Sequence, residues 1–160
     1  MRRLSLLFMA MLLSIFLFAC DEDSTETSGD NAEETEESKT LTVGDTAEFD
    51  DVKFTLKNVT TTDERNEFAD SDPNAVIKIE YELENISDDD VPYGTEITVY
   101  DAEGNKMESY PLDNDMGSLA PGKKIQGAEH HGVDALGTIE IHFEPLISFE
   151  NAAVFEVEIE

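Results

Sequence analysis

Residues 76–85 read Val-Ile-Lys-Ile-Glu-Tyr-Glu-Leu-Glu-Asn. Apolar side chains from Ile77 to Leu83 stand at alternate positions, and charged side chains from Lys78 to Glu84 fill the positions between them. Successive side chains of a β-strand point to opposite faces of its sheet, so this spacing predicts one buried and one solvated face. The segment is therefore predicted to be a half-buried antiparallel strand.

The same two-residue period recurs on both sides of this strand. Apolar alternation occupies four further short segments, at residues 52–56, 97–99, 139–143 and 154–159. Turn residues separate them, among them Asp-Ala-Glu-Gly-Asn at 101–105 and Leu-Ala-Pro-Gly at 119–122. Seven or eight short strands without helical period favour an all-β, two-sheet antiparallel sandwich of immunoglobulin type over residues 40–160. A small barrel is the alternative that the pattern leaves open.

Three of these segments carry a resemblance to a known family. They are the strand that ends at Asn85, the strand that ends in Asp101 and is followed by Gly104, and the turn at 119–122. In this order they are similar to the telokin-like, immunoglobulin-like domain of unknown function on surface lipoproteins of Gram-positive bacteria. The resemblance covers about residues 43–159. It implies a sandwich fold and an extracytoplasmic location, and it brings no established catalytic residues.

The N-terminus has the pattern of a bacterial lipoprotein signal. Two arginines follow Met1, residues 4–19 are apolar except for two serines, and Leu-Phe-Ala-Cys at 17–20 resembles a lipobox. The apolar run has 16 residues, fewer than the ~20 that a membrane-spanning helix needs. Residues 1–19 are therefore predicted to be a signal peptide that is removed when Cys20 is lipidated. An uncleaved anchor or an ordinary secretory signal is the alternative.

Residues 21–39 form an acidic segment between the lipidated cysteine and the domain. They contain nine acidic residues, one lysine and a single apolar residue, Ala32. Such a composition buries too little apolar surface to fold. We predict that residues 20–39 are a disordered tether, with Cys20 holding the protein to the outer face of a bacterial, Gram-positive cell membrane through two acyl chains.

Charge excludes one large class of partners. The chain has 38 Asp and Glu against 10 Lys and Arg, a formal net charge of -28. An acidic surface repels the phosphates of nucleic acids, so nucleic-acid binding is not expected. Self-repulsion of this size is screened in salt, and a saline or alkaline habitat would account for it. Divalent-cation capture is the functional alternative.

Two sets of side chains are candidate metal ligands. If residues 123–133 and 138–143 form a hairpin, His130 opposes His142 on the outer face, with Glu140 beside them, and two imidazoles could share a metal ion. The second candidate is the loop that contains Asp88, Asp89 and Asp90, whose carboxylates could attract Ca²⁺. The simpler interpretation is exposed histidines and a solvated loop, so no metal site is assigned.

The motifs of common enzymes are missing from the sequence. It contains no phosphate-binding loop, no paired zinc cysteines, no Gly-x-Ser-x-Gly and no His-Glu-x-x-His. We therefore expect no catalytic residues and no cofactor. The predicted function is that of a monomeric, non-enzymatic surface lipoprotein that presents a binding or structural module to an unknown protein or small ligand.

Overall fold

Ten β-strands make up the regular structure of residues 40–146 and 148–160, which the computed structural model describes. The strands are β1 (Thr46–Glu48), β2 (Val52–Thr62), β3 (Ala75–Asn85), β4 (Val91–Tyr93), β5 (Ile97–Asp101), β6 (Lys106–Met107), β7 (Gly117–Leu119), β8 (Lys124–Val133), β9 (Gly137–Phe143) and β10 (Ala153–Ile159). These residues contain no helix, so the all-β prediction is confirmed. None of them forms a helix that could span a bilayer. The predicted signal peptide and tether lie outside the described residues.

Two four-stranded antiparallel sheets form the sandwich. The first has the order β1-β2-β3-β8, the second has the order β10-β9-β5-β6, and β4 and β7 form a separate pair. The strand at 75–85 lies inside the first sheet, where its apolar residues are buried and its charged residues are partly exposed. The sandwich prediction is confirmed. The additional strands have only two or three residues each, too few for a readable alternation.

The predicted pairing of β8 with β9 is wrong. β8 pairs with β3 in the first sheet, whereas β9 pairs with β5 on one side and β10 on the other in the second sheet. Both edges of β9 are therefore occupied. Residues 134–136 carry the chain from one sheet to the other instead of closing a hairpin.

An aromatic contact joins the two sheets at the centre of the core. The Phe54 ring from β2 stacks on Phe143 from β9 with their centroids 4.1 Å apart. It also meets the Phe155 ring of β10 edge-on at 5.5 Å and the Tyr81 ring of β3 at 5.5 Å. Phe54 and Phe155 are fully buried. Such pairs contribute about 0.5–1.5 kcal/mol each beyond the burial of their area.

One side of the sandwich is closed by chain that passes between the sheets. Met107 in β6 pairs with Val99 in the second sheet, and two residues later Ser109 forms a bridge with His131 in the first sheet. The Tyr110 backbone N–H continues this pairing by donating to the His130 carbonyl oxygen at 2.7 Å. This crossing places residues 107–109 beside β8.

A buried asparagine connects the end of β3 to two loops. The Asn85 side-chain amide donates to the carbonyl oxygens of Asp89 and Leu119, both at 2.7 Å, and its oxygen accepts from the Ser87 backbone N–H at 2.9 Å. The turn after Leu119 places Gly122 at φ 66°, a conformation that favours glycine. Two of the three segments that carried the family resemblance, the strand that ends at Asn85 and the turn at 119–122, are therefore connected by one side chain.

The described chain joins the second sheet at Leu41. This residue forms a parallel bridge with Phe155 in β10. Its N–H donates to the Val154 carbonyl oxygen at 2.9 Å, and its own carbonyl oxygen accepts from the Glu156 N–H at 2.8 Å. Leu41 therefore covers part of the outer edge of that sheet.

Replacement of Phe54 by Ala is expected to lower the free energy of unfolding by about 3–5 kcal/mol, because it removes the ring that both sheets share and leaves a cavity. Urea denaturation followed by circular dichroism measures the change. Phe149→Ala is the matched control, since the Phe149 ring is fully exposed, and it should stay within about 0.5 kcal/mol of the unchanged protein. Equal losses in both variants would contradict this account of the core.

Candidate functional site

A cavity of about 590 Å³ opens beside β8, where the crossing segment closes the sandwich. Small-molecule sites in proteins fall between about 300 and 1,000 Å³, so its size suits an organic ligand. Its walls come from the turn after β4, from β5, from β6 and the crossing segment, from the loop before β7 and from β8. The lining residues are Gly94, Thr95, Ile97, Lys106, Met107, Glu108, Ser109, Asn114, Met116, Glu129 and His131.

Two ionisable side chains of β8 reach the cavity because they occupy positions on the inward face of the strand. Ile125, Glu129, His131 and Val133 are separated by even numbers of residues, so their side chains all lie on the inward face of β8. Glu129 is opposite Ile79 of β3. Glu129 is only 5% exposed and His131 only 3%. The strand thus places a carboxylate and an imidazole where the alternation calls for apolar residues.

These two side chains are near each other but form no hydrogen bond. Glu129 Oε2 lies 3.6 Å from His131 Nε2, an ion-pair separation beyond hydrogen-bonding distance. Glu129 Oε1 and both ring nitrogens of His131 are buried without a hydrogen-bond partner. A buried polar group left unsatisfied costs about 1–3 kcal/mol, so the pair reduces the stability of the fold.

Tyr81 and Glu96 also have buried polar atoms without partners, but they do not line the cavity. One Glu96 carboxylate oxygen accepts from the Gly94 and Thr95 backbone N–H groups at 2.6 and 2.8 Å, while its other oxygen and the Tyr81 hydroxyl are buried without partners. Burial raises the pKa of Tyr81, and the carboxylates of Glu129, Asp115 and Glu96 raise it further. Of these buried groups, Glu129 and His131 line the cavity, and we call these two side chains the polar cluster.

Sequence reasoning assigned no role to the polar cluster. The hairpin that opposes His130 to His142 would place His131 opposite Ile141, whereas His131 is buried and pairs with Ile77 across β3 and β8. The sequence did contain a signal for their inward direction. Glu129 and His131 stand an even number of residues from Ile125 and Val133, so all four point to the same face of the strand.

The predicted histidine pair is not brought together. His130 and His142 belong to different sheets, because the hairpin that would oppose them does not form. His130 is buried, and its Nδ1 lies 2.8 Å from Asn114 Oδ1. His142 does lie beside Glu140, with its Nε2 2.8 Å from Glu140 Oε2. Across residues 40–146 and 148–160, no three His, Cys, Asp or Glu side chains converge as a metal site.

The acidic loop has a structural explanation. Asp88, Asp89 and Asp90 are all exposed. The loop takes its shape from Asn85 and Ser87, whose side chains bond the Asp89 backbone: the Ser87 hydroxyl donates to the Asp89 carbonyl oxygen at 3.0 Å. These contacts order the backbone without converging the carboxylates. Cys20, the predicted lipidation site, lies outside the described residues.

The protonation of His130 is expected to affect stability. Burial lowers the pKa of His130 below its ordinary value of 6.5, and the charge of Lys78 lowers it further, while Glu64 and Asp113 oppose the shift and His131 adds to it. The folded state therefore prefers the neutral ring. Between the lowered pKa and 6.5 the unfolded chain binds more protons, so stability is complete above this interval and falls as the pH drops through it.

His130→Gln is accordingly expected to flatten the stability profile just below pH 6.5. Urea denaturation at a series of pH values measures the profile, and NMR titration of the ring measures the pKa. A His130 ring that titrates at or above 6.5 would contradict the assignment.

Solved structures of other bacterial proteins have a similar fold. The structure of ycdA from Bacillus subtilis, a candidate lipoprotein, matches with a TM-score of 0.62 at 18% identity, covering 75% of this chain and 39% of ycdA. The yjhA protein of Bacillus subtilis matches with a TM-score of 0.60 at 16% identity, covering 76% of this chain and 100% of yjhA. The secreted Mycobacterium tuberculosis protein MPT63 matches with a TM-score of 0.56 at 10% identity, covering 75% of this chain and 96% of MPT63.

At such identities these likenesses show the fold alone. The chain spans about two fifths of the length of ycdA. No functionally curated protein matches it in sequence. A family model does match, over residues 41–147, which is more than half of the chain, and the protein therefore belongs to the DUF4352 family, a domain of unknown function.

Proposed function

We propose that this protein is a non-enzymatic surface lipoprotein, anchored through Cys20 to the extracytoplasmic face of a Gram-positive cell membrane, whose β-sandwich binds a ligand in the cavity beside β8. The observation that carries the binding role is the polar cluster at that cavity. Buried polar groups are nearly always hydrogen-bonded, and Glu129 Oε1 and both ring nitrogens of His131 are not. A ligand that satisfied them would account for residues that otherwise destabilise the fold.

The absence of a reaction is part of the proposal. Ser109 lines the same cavity as His131, but neither ring nitrogen of His131 accepts a hydrogen bond from it. A nucleophile is activated by a base within hydrogen-bonding reach, and this arrangement does not supply one. The geometry supports binding better than catalysis.

Two observations support the proposed anchor, one from the sequence and one from a protein of similar fold. Residues 17–20 have the lipobox pattern, and ycdA is itself a candidate lipoprotein. Two acyl chains on one thiol hold a protein stably where one chain does not. We also propose that the domain is of the telokin-like, immunoglobulin-like type and that the protein is a monomer.

Cys20→Ala is expected to leave a larger, unprocessed precursor when the full chain is expressed in a Gram-positive host, because the lipid acceptor is missing. The unchanged protein should partition into the detergent phase, and its mature form should carry acyl chains by mass spectrometry. An alanine variant of mature size that still fractionates with membranes would overturn the anchor.

The binding role can be tested with two NMR signals. Of the five methionines, three lie within residues 1–19, so the processed chain retains only Met107 and Met116, and both line the cavity. In protein labelled with ¹³C at the methionine methyl groups, a fragment set of cationic, neutral and anionic molecules is expected to include compounds that shift the Met107 signal saturably. Met116→Trp, which fills the mouth at a 69% exposed position, should abolish these shifts. A set in which no fragment of any charge moves Met107 would overturn the binding role.

A further inference from the structure

The polar cluster carries more negative than positive charge. It contains one carboxylic group, Glu129, and one imidazole, His131. With an ionised carboxylate and a neutral imidazole its formal charge is -1. Lys106 and Glu108 also line the cavity, and their opposite charges cancel. Because a buried charge is costly unless it is paired, the cluster favours a cationic partner.

The unpaired atoms fit a cation that donates hydrogen bonds. Glu129 Oε1 and the unprotonated ring nitrogen of a neutral His131 are buried acceptors without donors. An ammonium group has three N–H donors and no acceptor, and so complements such a set. Hydrogen bonds between an ammonium and a carboxylate are about twice as strong as neutral ones.

The remaining wall of the cavity is suited to a hydrocarbon stem. Ile97 and Met107 are buried at its side, 7% and 9% exposed, and Met116 stands at its rim. Methionine adapts its shape to an apolar neighbour because its side chain is unbranched and polarisable. A bare metal ion suits this space less well, since it would not fill about 590 Å³ and would find no three converging His, Cys, Asp or Glu side chains in the described ranges.

A second Glu-x-His pair shows what distinguishes the one in the cavity. Glu140 and His142 in β9 have the same spacing as Glu129 and His131 in β8. Their side chains are 50% and 28% exposed, and they close on each other at 2.8 Å. The cavity pair is buried and stands at 3.6 Å, with neither group hydrogen-bonded. The same two residue types are thus satisfied in β9 and left unsatisfied in β8.

From these observations, and resting on the proposed function, we infer that the cavity binds a primary ammonium group on an alkyl stem, with Glu129 as its main charge partner. The chemistry is shared by a small alkylamine and by a lysine side chain of a protein partner. The acidic surface, part of a chain of formal charge -28, would steer either one toward the site.

The test uses the processed full chain, purified in detergent, with the Met107 and Met116 methyl signals as reporters. n-Butylammonium chloride is titrated beside 1-butanol, which has the same stem without the charge, and beside KCl at equal ionic strength. We expect a saturable shift with butylammonium, at least tenfold weaker binding of butanol, and no saturable shift with KCl. Equal affinity for the amine and the alcohol would overturn the inference.

Two variants locate the charge partner. Glu129→Gln should weaken butylammonium binding at least tenfold, whereas Glu140→Gln, which removes the same charge at the exposed pair, should change it less than twofold. Equal effects would overturn the assignment to Glu129. Circular dichroism confirms that each variant is folded, and Met116→Trp provides a second variant that should block binding without altering the cluster.

Further titrations distinguish a small amine from a lysine side chain and test a metal ion as the competing ligand. Nα-Acetyl-lysine methylamide that binds with the same dependence on Glu129 assigns a lysine-bearing partner, whereas binding of butylammonium alone assigns a small amine. A Glu129-dependent shift with ZnCl₂ and none with butylammonium would replace the inference by a metal site. Neutral or anionic fragments that bind while butylammonium does not would overturn this inference and leave the proposed function standing.

Discussion

Contact between the Phe54 and Phe143 rings fixes how the two sheets face each other. The rings come from strands in different sheets and stack at 4.1 Å, so the inward rows of β2 and β9 have to meet there. The inward row of β3 follows from its pairing with β2, and that of β8 from its pairing with β3. The Phe54–Phe143 contact therefore also determines which face of these neighbouring strands points inward.

The apolar filling of the core does not reach the whole inward face of β8. Around the aromatic rings the inward positions hold large hydrophobic side chains, but at Glu129 and His131 the strand turns a carboxylate and an imidazole inward. Chain that crosses between the sheets at 107–109 closes this side incompletely and leaves the cavity. A weak point in the packing and a candidate binding site are thus one feature, which agrees with the general observation that functional sites are costly to stability.

Alternation in the sequence was sufficient to predict which face each long strand buries, as in residues 76–85, because side-chain direction is a local property. Partner choice is not local, and the spacing of Ile139 and Ile141 is equally compatible with β8 or β5 as a neighbour. The predicted opposition of His130 and His142 assumed that β8 is the neighbour of β9, and this assumption was wrong. The inward direction of Glu129 could be derived from the alternation alone, whereas the cavity beside it depends on the crossing at 107–109, which leaves no periodic signal.

The contact of Leu41 with β10 sets how a pull on the N-terminal chain would reach the sandwich. Leu41 is the first residue of the described chain to join a sheet, and it runs parallel to β10, with hydrogen bonds of 2.9 and 2.8 Å to either side of Phe155. A pull on Leu41 along the direction of β10 would shear both bonds together instead of peeling them apart in turn. With the proposed anchor at Cys20, drag on the domain would load β10, the edge strand of the second sheet, before the strands behind it.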